Sequence, residues 1–189
     1  MTPALSLIDP TSRSASTAEF AEAMSALAGG VVLVTCRIGT RPWGMTVTAF
    51  SSVSADPPIV LASLGSRTAS VRAIEATGGF GVSILGEKQL DVARFGSNPG
   101  AAKFLEPFVD PGAVDSASPA VAGALAHLDC ELLDTDGVAD HTIVFGRVRA
   151  ARAAHRGTPL LYHRRAYRTL GPRAGGRLND RKDVRWLSS

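Results

Sequence analysis

Apolar residues recur along the chain in short runs that turn-forming residues separate, a pattern typical of β-strands. Strand-like runs lie at residues 31–36, 45–53, 59–64 and 80–85, with two more around a polar turn in 128–153 and one in 159–170. The sequence IGTRPWG at 38–44 is predicted to be a turn. The sequence ADPP at 55–58 ends the second run, because proline has no N–H to donate to a strand ladder.

Three short helices are predicted beside these strands. A capping box from Ser16 to Glu19 begins the first helix. The apolar residues of this helix fall on one face: Phe20, Met24 and Leu27. The other helices are predicted at 68–79 and 87–97, and residues 98–120 have the composition of a loop. Mostly consecutive strands with few short helices predict a mainly β fold, a small β-barrel with helices packed outside it.

Length and composition predict an ordinary globular protein. The chain has 189 residues, of which 45% are apolar and 20% charged, which suits one domain with a core. We expect this domain at 16–170, between a mobile N-terminal segment at 1–15 and a basic C-terminal tail at 171–189. No apolar run approaches the roughly 20 residues of a membrane helix, and the N-terminus lacks a signal-peptide pattern. A cytoplasmic protein without membrane contact is therefore expected.

Charge and cysteine content narrow the possible partners. The tail holds five basic and two acidic residues, which accounts for the whole formal net charge of +3. The remaining chain is balanced, so binding to nucleic acid is not expected.

Cys36 and Cys130 stand alone in apolar runs and are predicted to be reduced core thiols, with a disulfide or a metal site as the alternative.

Motifs for catalysis by side chains alone are absent from the sequence. It contains no G-x-S-x-G, H-E-x-x-H, P-loop or G-x-G-x-x-G. The four histidines, at 127, 141, 155 and 163, have no spacing typical of metal ligands, so no metal site is predicted. Two possibilities remain: the chain only binds a ligand, or a cofactor supplies its reactivity.

The stretch from Gly44 to Thr68 is unusually rich in hydroxyl side chains for strand-like segments. The sequence TVTAFSS at 46–52 offers partners for the polar edge of a flavin ring. The sequence SRTAS at 66–70 stands at a predicted helix start, where N–H groups favour a phosphate. The alternative is that these residues only cap the helix.

Five segments in order carry a family resemblance: GVVLVTC, GMTVTAFSSVSADPPIVLASL, FGVSILGEKQLDVARFG, DHTIVFGRV and PLLYHRRAY. With this order and spacing, the chain from about 20 to 170 resembles the flavin reductase-like family with the FMN-binding split-barrel fold. Members are the reductase components of two-component flavin-dependent monooxygenases. The resemblance implies a mainly β, Greek-key-like split barrel that forms a homodimer.

The resemblance also implies the activity. Each subunit would bind FMN or FAD, reduce it with NADH or NADPH, and release the reduced flavin to a partner monooxygenase. Hydride passes directly between the stacked rings, so the protein has mainly to position them, and no covalent catalyst is expected.

Site residues follow by matching this sequence to the family motifs. The flavin residues would be Thr46, Val47, Thr48, Ala49, Ser51, Ser52, Ala62, Ser63, Leu64, Ser66, Arg67 and Thr68. Of these, residues 66–68 would contact the phosphate. Phe95 and Tyr167 would stand near the flavin and nicotinamide, and His141 would position the nicotinamide. The alternatives are a His141 that pairs with Asp140 or Asp129, and a Phe95 that anchors the core.

Two departures from the family pattern motivate one alternative function, and a related family suggests another. Ala139 stands where the family has a glycine before Asp-His, and Ser83 replaces an amide. A flavin carrier without efficient reductase activity is therefore one alternative. A related split-barrel oxidase acting on a small substrate is another, for which Arg147, Arg149 and Arg152 could supply the basic residues.

Overall fold

The computed structural model describes residues 14–110, 118–154 and 156–171. The predicted N-terminal segment and basic tail lie almost entirely outside the described residues and stay predictions. The described part forms ten β-strands and three α-helices. The predicted mainly β class is confirmed.

The helices are short, as the sequence predicts. Their bounds are α1 (Thr17–Ser25), α2 (Ala69–Thr77) and α3 (Leu90–Ser97), with a 3-10 turn at Glu87–Gln89. The strands are β1 (Gly29–Gly30), β2 (Val32–Ile38), β3 (Arg41–Val47), β4 (Phe50–Ala55), β5 (Pro58–Gly65), β6 (Gly79–Ile84), β7 (Ala126–Val138), β8 (His141–Ala153), β9 (Leu160–His163) and β10 (Ala166–Thr169).

Seven strands form one antiparallel sheet in the order β3-β2-β6-β7-β8-β5-β4. Strands β3 and β4 are therefore its two edges, although only Thr48 and Ala49 separate them in sequence. Three consecutive Cα–Cα steps span at most about 11 Å, so the two edges meet at this link and the sheet curls. Beyond this link β3 and β4 do not pair with each other, so the curled sheet stays open along one seam, as in a split barrel.

The structure corrects three expectations from the sequence. The predicted single strand at 45–53 is two strands, because the chain crosses from one sheet edge to the other at Thr48–Ala49. Most of the predicted turn at 38–44 belongs to β3, with only Gly39 and Thr40 forming the turn. The predicted strand in 159–170 is the hairpin β9–β10, which pairs with β1 in a separate three-stranded sheet.

The core has two parts, one on each face of β2. Val32, Val34 and Cys36 point into the cluster that also holds Val71 and Ile74 of α2. Val31 and Leu33 point the other way, into a second cluster with Val92 and Ala93 of α3. Loop and β9 residues complete this cluster: Leu105, Val109, Val121 and Leu160. Because both faces of β2 are covered at its start, the sequence over 31–34 is continuously apolar rather than alternating.

Helix α1 begins as predicted but packs differently from α2 and α3. Its capping box is present, with the Glu19 N–H donating to Ser16 Oγ and the Ser16 N–H donating to the Glu19 carboxylate. Phe20, Met24 and Leu27 are 62%, 47% and 63% exposed. The apolar face of α1 therefore lies outside the core.

Cys36 and Cys130 are free and buried, which confirms the prediction of reduced core thiols. Burial raises the pKa of both thiols to about 12, so neither is a reactive thiolate near neutral pH. Among the described helices, none is long and apolar enough to cross a membrane.

Candidate functional site

A cleft of about 500 Å³ opens where β3 passes into β4. Several predicted residues line it: Thr46, Val47, Thr48, Ala49, Ser63, His141 and Tyr167. They come from β3 and its link to β4, from β5, from the start of β8 and from the β9–β10 hairpin. The fold brings together residues up to 121 positions apart in sequence, at a size typical of cofactor sites.

Two side chains on one wall of the cleft share a single backbone acceptor. Thr46 Oγ1 donates to the carbonyl oxygen of Ala93 at 2.8 Å, and the Tyr167 hydroxyl donates to the same oxygen at 3.2 Å. Ala93 is in α3, so this carbonyl ties β3 and β10 to one helix. The contacts hold Thr46 and Tyr167 in fixed positions beside the cleft.

The Thr48–Ala49 link is part of the lining of the cleft. Its backbone is held to β5, since the Ser63 N–H donates to the Ala49 carbonyl oxygen at 2.9 Å. The Ser63 side chain also lines the cleft. A non-repetitive backbone segment with hydroxyl groups beside it presents both donors and acceptors, the chemistry that the polar edge of a flavin ring requires.

His141 begins β8 beside Gly65, its register partner at the end of β5, immediately after a strained turn. Ala139 has φ of 54°, in the left-handed region that favours glycine. His141 Nδ1 lies 2.7 Å from the Asp140 carboxylate, and the hydrogen bond and charge of His141 lower the pKa of that carboxyl. His141 therefore both pairs with Asp140 and lines the cleft. Asp129, the other predicted partner, contacts Ser118 and Arg149 instead.

The segment 66–68 joins the His141 turn to α2. The Ser66 N–H donates to the Asp140 carbonyl oxygen at 3.0 Å, and Thr142 Oγ1 donates to Ser66 Oγ at 2.9 Å. Thr68 is the N-cap of α2 and accepts from the Val71 N–H. The capping role of this segment is therefore established, and phosphate binding by Ser66, Arg67 and Thr68 stays a prediction.

Other predicted residues do not line the cleft with their side chains. Ala62 and Leu64 are 0% and 1% exposed and point into the core cluster, because alternate residues of β5 face opposite sides. Ser51 and Ser52 are exposed on the edge strand β4. Phe95 packs against Phe108 with ring centroids 5.1 Å apart, which supports the alternative of a core anchor.

Sequence reasoning missed several residues that line the cleft: Val31, Met45, Gly65, Ser97 and Tyr162. Tyr162 pairs with Tyr167 in the β9–β10 register, with ring centroids 5.3 Å apart. An alternating pattern over 160–167 with a central turn would have indicated this hairpin and placed both tyrosines on one face. Ser97 lines the cleft next to Tyr167, whose hydroxyl lies 3.4 Å from Ser97 Oγ. Only the tertiary structure shows this contact.

Ser83, the second departure from the family pattern, lies in a separate polar cluster. It is 0% exposed, lies 2.9 Å from His127 Nδ1 and accepts from the Val121 N–H at 3.1 Å. Ser118 Oγ donates to Asp129 at 2.6 Å in the same cluster. Ser83 therefore holds the segment 118–121 in place and does not line the cleft. No group of three or more potential metal ligands occurs in the described part of the chain.

The antiparallel split barrel with a hydroxyl-lined cleft at its open seam defines a class of small flavin-binding oxidoreductases. The chain belongs to the flavin reductase-like family, since the family model described as "Flavin reductase like domain" matches residues 24–171. The predicted family is confirmed.

Relatives with assigned activities cover most of the chain. It is 37% identical over 152 residues to the reductase component of 4-hydroxyphenylacetate 3-monooxygenase from Thermus thermophilus, covering 80% of this chain and 95% of that protein. It is 38% identical over 161 residues to an NADH-dependent FMN reductase from Streptomyces nodosus subsp. asukaensis, covering 80% of this chain and 84% of that one.

Solved structures agree with the fold. The flavin reductase component of a bacterial two-component tryptophan halogenase, BorF, superposes with a TM-score of 0.75 at 32% identity, covering 84% of this chain and 100% of that one. The NADH:FAD oxidoreductase SgcE6 of Streptomyces globisporus, in complex with NAD and FAD fragments, gives 0.75 at 28% identity, covering 89% and 99%. The predicted split barrel is confirmed.

Proposed function

We propose that this chain is an NADH-dependent flavin reductase that supplies reduced flavin to a monooxygenase. The observation that carries the proposal is the cleft, which the hydroxyl-bearing segment Thr46–Ala49 lines together with His141 and Tyr167. Its relatives include NADH-dependent flavin reductases and reductase components of two-component monooxygenases.

The residues of the cleft suit a flavin ring with a nicotinamide ring beside it. When bound, the flavin supplies the hydride-accepting chemistry. The backbone of 46–49 and the Ser63 hydroxyl offer hydrogen bonds to the polar edge of the flavin, and Tyr167 is held in place through Ala93. His141, oriented by Asp140, would contact the nicotinamide carboxamide. These groups bind and orient the two rings, which is the main requirement for direct hydride transfer.

An anaerobic absorbance titration tests this function. FMN and FAD are added separately to the purified protein, followed by NADH or NADPH. We expect bleaching of the flavin band with NADH, and repeated turnover when air is readmitted. Tight flavin binding without bleaching would support the flavin-carrier alternative, which the strained Ala139 beside His141 motivates. No flavin binding would contradict both functions.

The split-barrel oxidase alternative has less support. It depends on Arg147, Arg149 and Arg152 as the basic residues for a substrate phosphate. Arg149 forms an ion pair with Asp129 at 3.3 Å. Arg152 lines a different cavity beside His127. None of the three is among the residues of the cleft.

We also propose that the chain forms the predicted homodimer through the outer face of β5 and β8. Residues of β5 and β8 that point away from the core cluster include Leu61 and its register partner Phe145, both only half-buried. Ile143 lies next to them and pairs with Ser63, which lines the cleft. A second copy on this apolar face would cover it and border both clefts.

Light scattering after gel filtration tests the dimer. We expect a dimer for the parent and a monomer for Phe145→Arg, with Glu75→Arg on the exposed face of α2 as the control. An unchanged mass for Phe145→Arg would contradict the proposed interface. The cytoplasmic location expected from the sequence remains a prediction.

A further inference from the structure

A second cavity of about 330 Å³ lies between α1 and the β9–β10 hairpin, and we call it the α1 pocket. Its lining residues are Ala21, Met24, Ser25, Leu27, Gly29, Thr48, Ala49, Tyr162, His163, Arg164 and Arg165. Thr48, Ala49 and Tyr162 line both this pocket and the cleft. The two cavities therefore adjoin at these three residues, so a ligand longer than a single ring system could reach from one to the other.

The chemistry of the α1 pocket is divided between an apolar wall and a cationic rim. Met24 of α1 and Leu27, just after the end of α1, supply the wall, and both are exposed rather than packed in the core. Arg164 and Arg165 supply the cationic rim, and His163 lines the pocket next to them. A planar heterocycle that carries phosphate groups matches this division, because its ring can pack on the wall while its phosphates bind the guanidinium groups.

The two arginines occupy strained backbone positions. Their φ angles are 47° for Arg164 and 58° for Arg165, in a two-residue hairpin turn. This conformation favours asparagine and glycine, and each other residue there costs about 1 kcal/mol or more. Strained backbone positions are common at functional sites, so the strain at Arg164 and Arg165 motivates a search for their function.

The position and freedom of the arginines support a ligand role. The Arg164 N–H donates to the Ser25 carbonyl oxygen at 2.8 Å, which fixes the turn against the end of α1. No ion pair of Arg164 or Arg165 with a described residue is observed. Both side chains are exposed, so their positive charges are available to an anion.

We propose that the α1 pocket binds the adenosine phosphate half of a dinucleotide whose redox ring occupies the cleft, with Arg164 and Arg165 contacting the phosphates. This inference rests on the proposed flavin reductase function. FAD and NADH both carry such a half, and FMN does not. The pocket would therefore set the preference for dinucleotides over mononucleotides.

The test uses a variant that keeps the turn and removes the charges. Arg164→Asn with Arg165→Gly introduces the residues that the turn geometry favours, so the variant is expected to fold at least as stably as the parent. Arg168→Gln, an exposed arginine on β10 outside both cavities, is the matched control. Calorimetric titration with ADP measures binding to the pocket directly and needs no flavin reduction.

We expect the Kd for ADP to rise about tenfold or more in the double variant, as for loss of one or more charge-assisted hydrogen bonds, and to be unchanged in Arg168→Gln. Two further measurements on the double variant identify which dinucleotide uses the pocket. A changed ratio of FAD to FMN affinity would identify FAD, and a changed KM for NADH, measured with FMN as acceptor, would identify NADH. A change in either supports the proposal.

Absence of ADP binding to the parent protein, or equal ADP affinity in the parent and the double variant, would overturn the proposal. Failure of the proposed function gives a different result, namely no NADH oxidation by the parent with either flavin. ADP binding that is lost in the double variant, in a parent that oxidises no NADH, would support the pocket and contradict the reductase.

Discussion

Gly96 of α3 lies directly against Thr46 of β3. A Cβ atom at position 96 would stand 2.5 Å from Thr46 Oγ1 and 3.0 Å from the Thr46 backbone nitrogen. The absence of a side chain at Gly96 is therefore what lets α3 approach β3 closely enough for Thr46 to donate to the Ala93 carbonyl oxygen.

Replacing Gly96 by alanine should move α3 away from β3. We expect a loss of about 1–3 kcal/mol in the free energy of unfolding from overpacking, and weaker flavin binding because Thr46 lines the cleft. Denaturant unfolding and flavin fluorescence titration measure the two effects. The control is Gly137→Ala, since a Cβ there meets no heavy atom within 4 Å. Equal stability of the two variants would contradict the close contact.

Ala139→Gly should stabilise the protein. The φ of 54° at Ala139 is strained for any residue with a side chain, so glycine relieves a cost of about 1 kcal/mol, partly offset by greater freedom in the unfolded chain. Thermal unfolding should show a higher Tm. In contrast, Ala151→Gly at an exposed position of β8 should lower the Tm, because glycine weakens a strand interior. A lower Tm for Ala139→Gly would show that the turn is not strained.

Protonation of His127 should destabilise the fold at acidic pH. Burial lowers the pKa of His127, and the positive charge of Arg152 adds to this, whereas the Ser118 carbonyl and Asp129 partly oppose it. The unfolded chain therefore binds a proton more readily than the folded one as pH falls below about 6.5. Stability contributed by neutral His127 is complete above that pH and is lost as pH falls toward the lower folded pKa.

The measurement is the free energy of unfolding at pH 7.5 and at pH 5. The parent should lose more stability between these values than His127→Gln, which has no proton to gain at this position. Ser83→Ala should be less stable than the parent at both values by about 1–3 kcal/mol, because the buried His127 ring and the Val121 N–H lose a partner. The same pH dependence in the parent and His127→Gln would refute the role of His127.

His141→Gln should slow reduction of the flavin by NADH and leave flavin binding largely intact. The imidazole lines the cleft and is oriented by Asp140, so its loss removes a contact that positions the nicotinamide. We expect kcat/KM for NADH to fall about tenfold or more, as for lost positioning. Asp140→Asn, which keeps the ring and weakens only its orientation, should have a smaller effect. Stopped-flow absorbance at saturating flavin separates this effect from weaker flavin binding.

The sequence by itself determined most of the local structure. The apolar run at 31–36 predicted a buried strand, and the pattern Ser16 to Glu19 predicted the start of α1, because both signals are local. The order of the five motif segments also indicated the flavin reductase-like family. The resemblance assigned residues 46–49, Ser63, His141 and Tyr167 to one site, and all of them line the cleft. Their contacts with flavin and nicotinamide stay predictions.

Only the tertiary structure decided which side chains face the cleft. The crossing of the chain from one sheet edge to the other at Thr48–Ala49 depends on long-range strand pairing, which a local pattern does not contain. The same pairing turns Ala62 and Leu64 inward and Ser63 outward. It also brings the β9–β10 hairpin beside α1, so Arg164 and Arg165 reach a pocket next to a cleft whose residues are distant in sequence. Packing in three dimensions, and not residue type, decides these contacts.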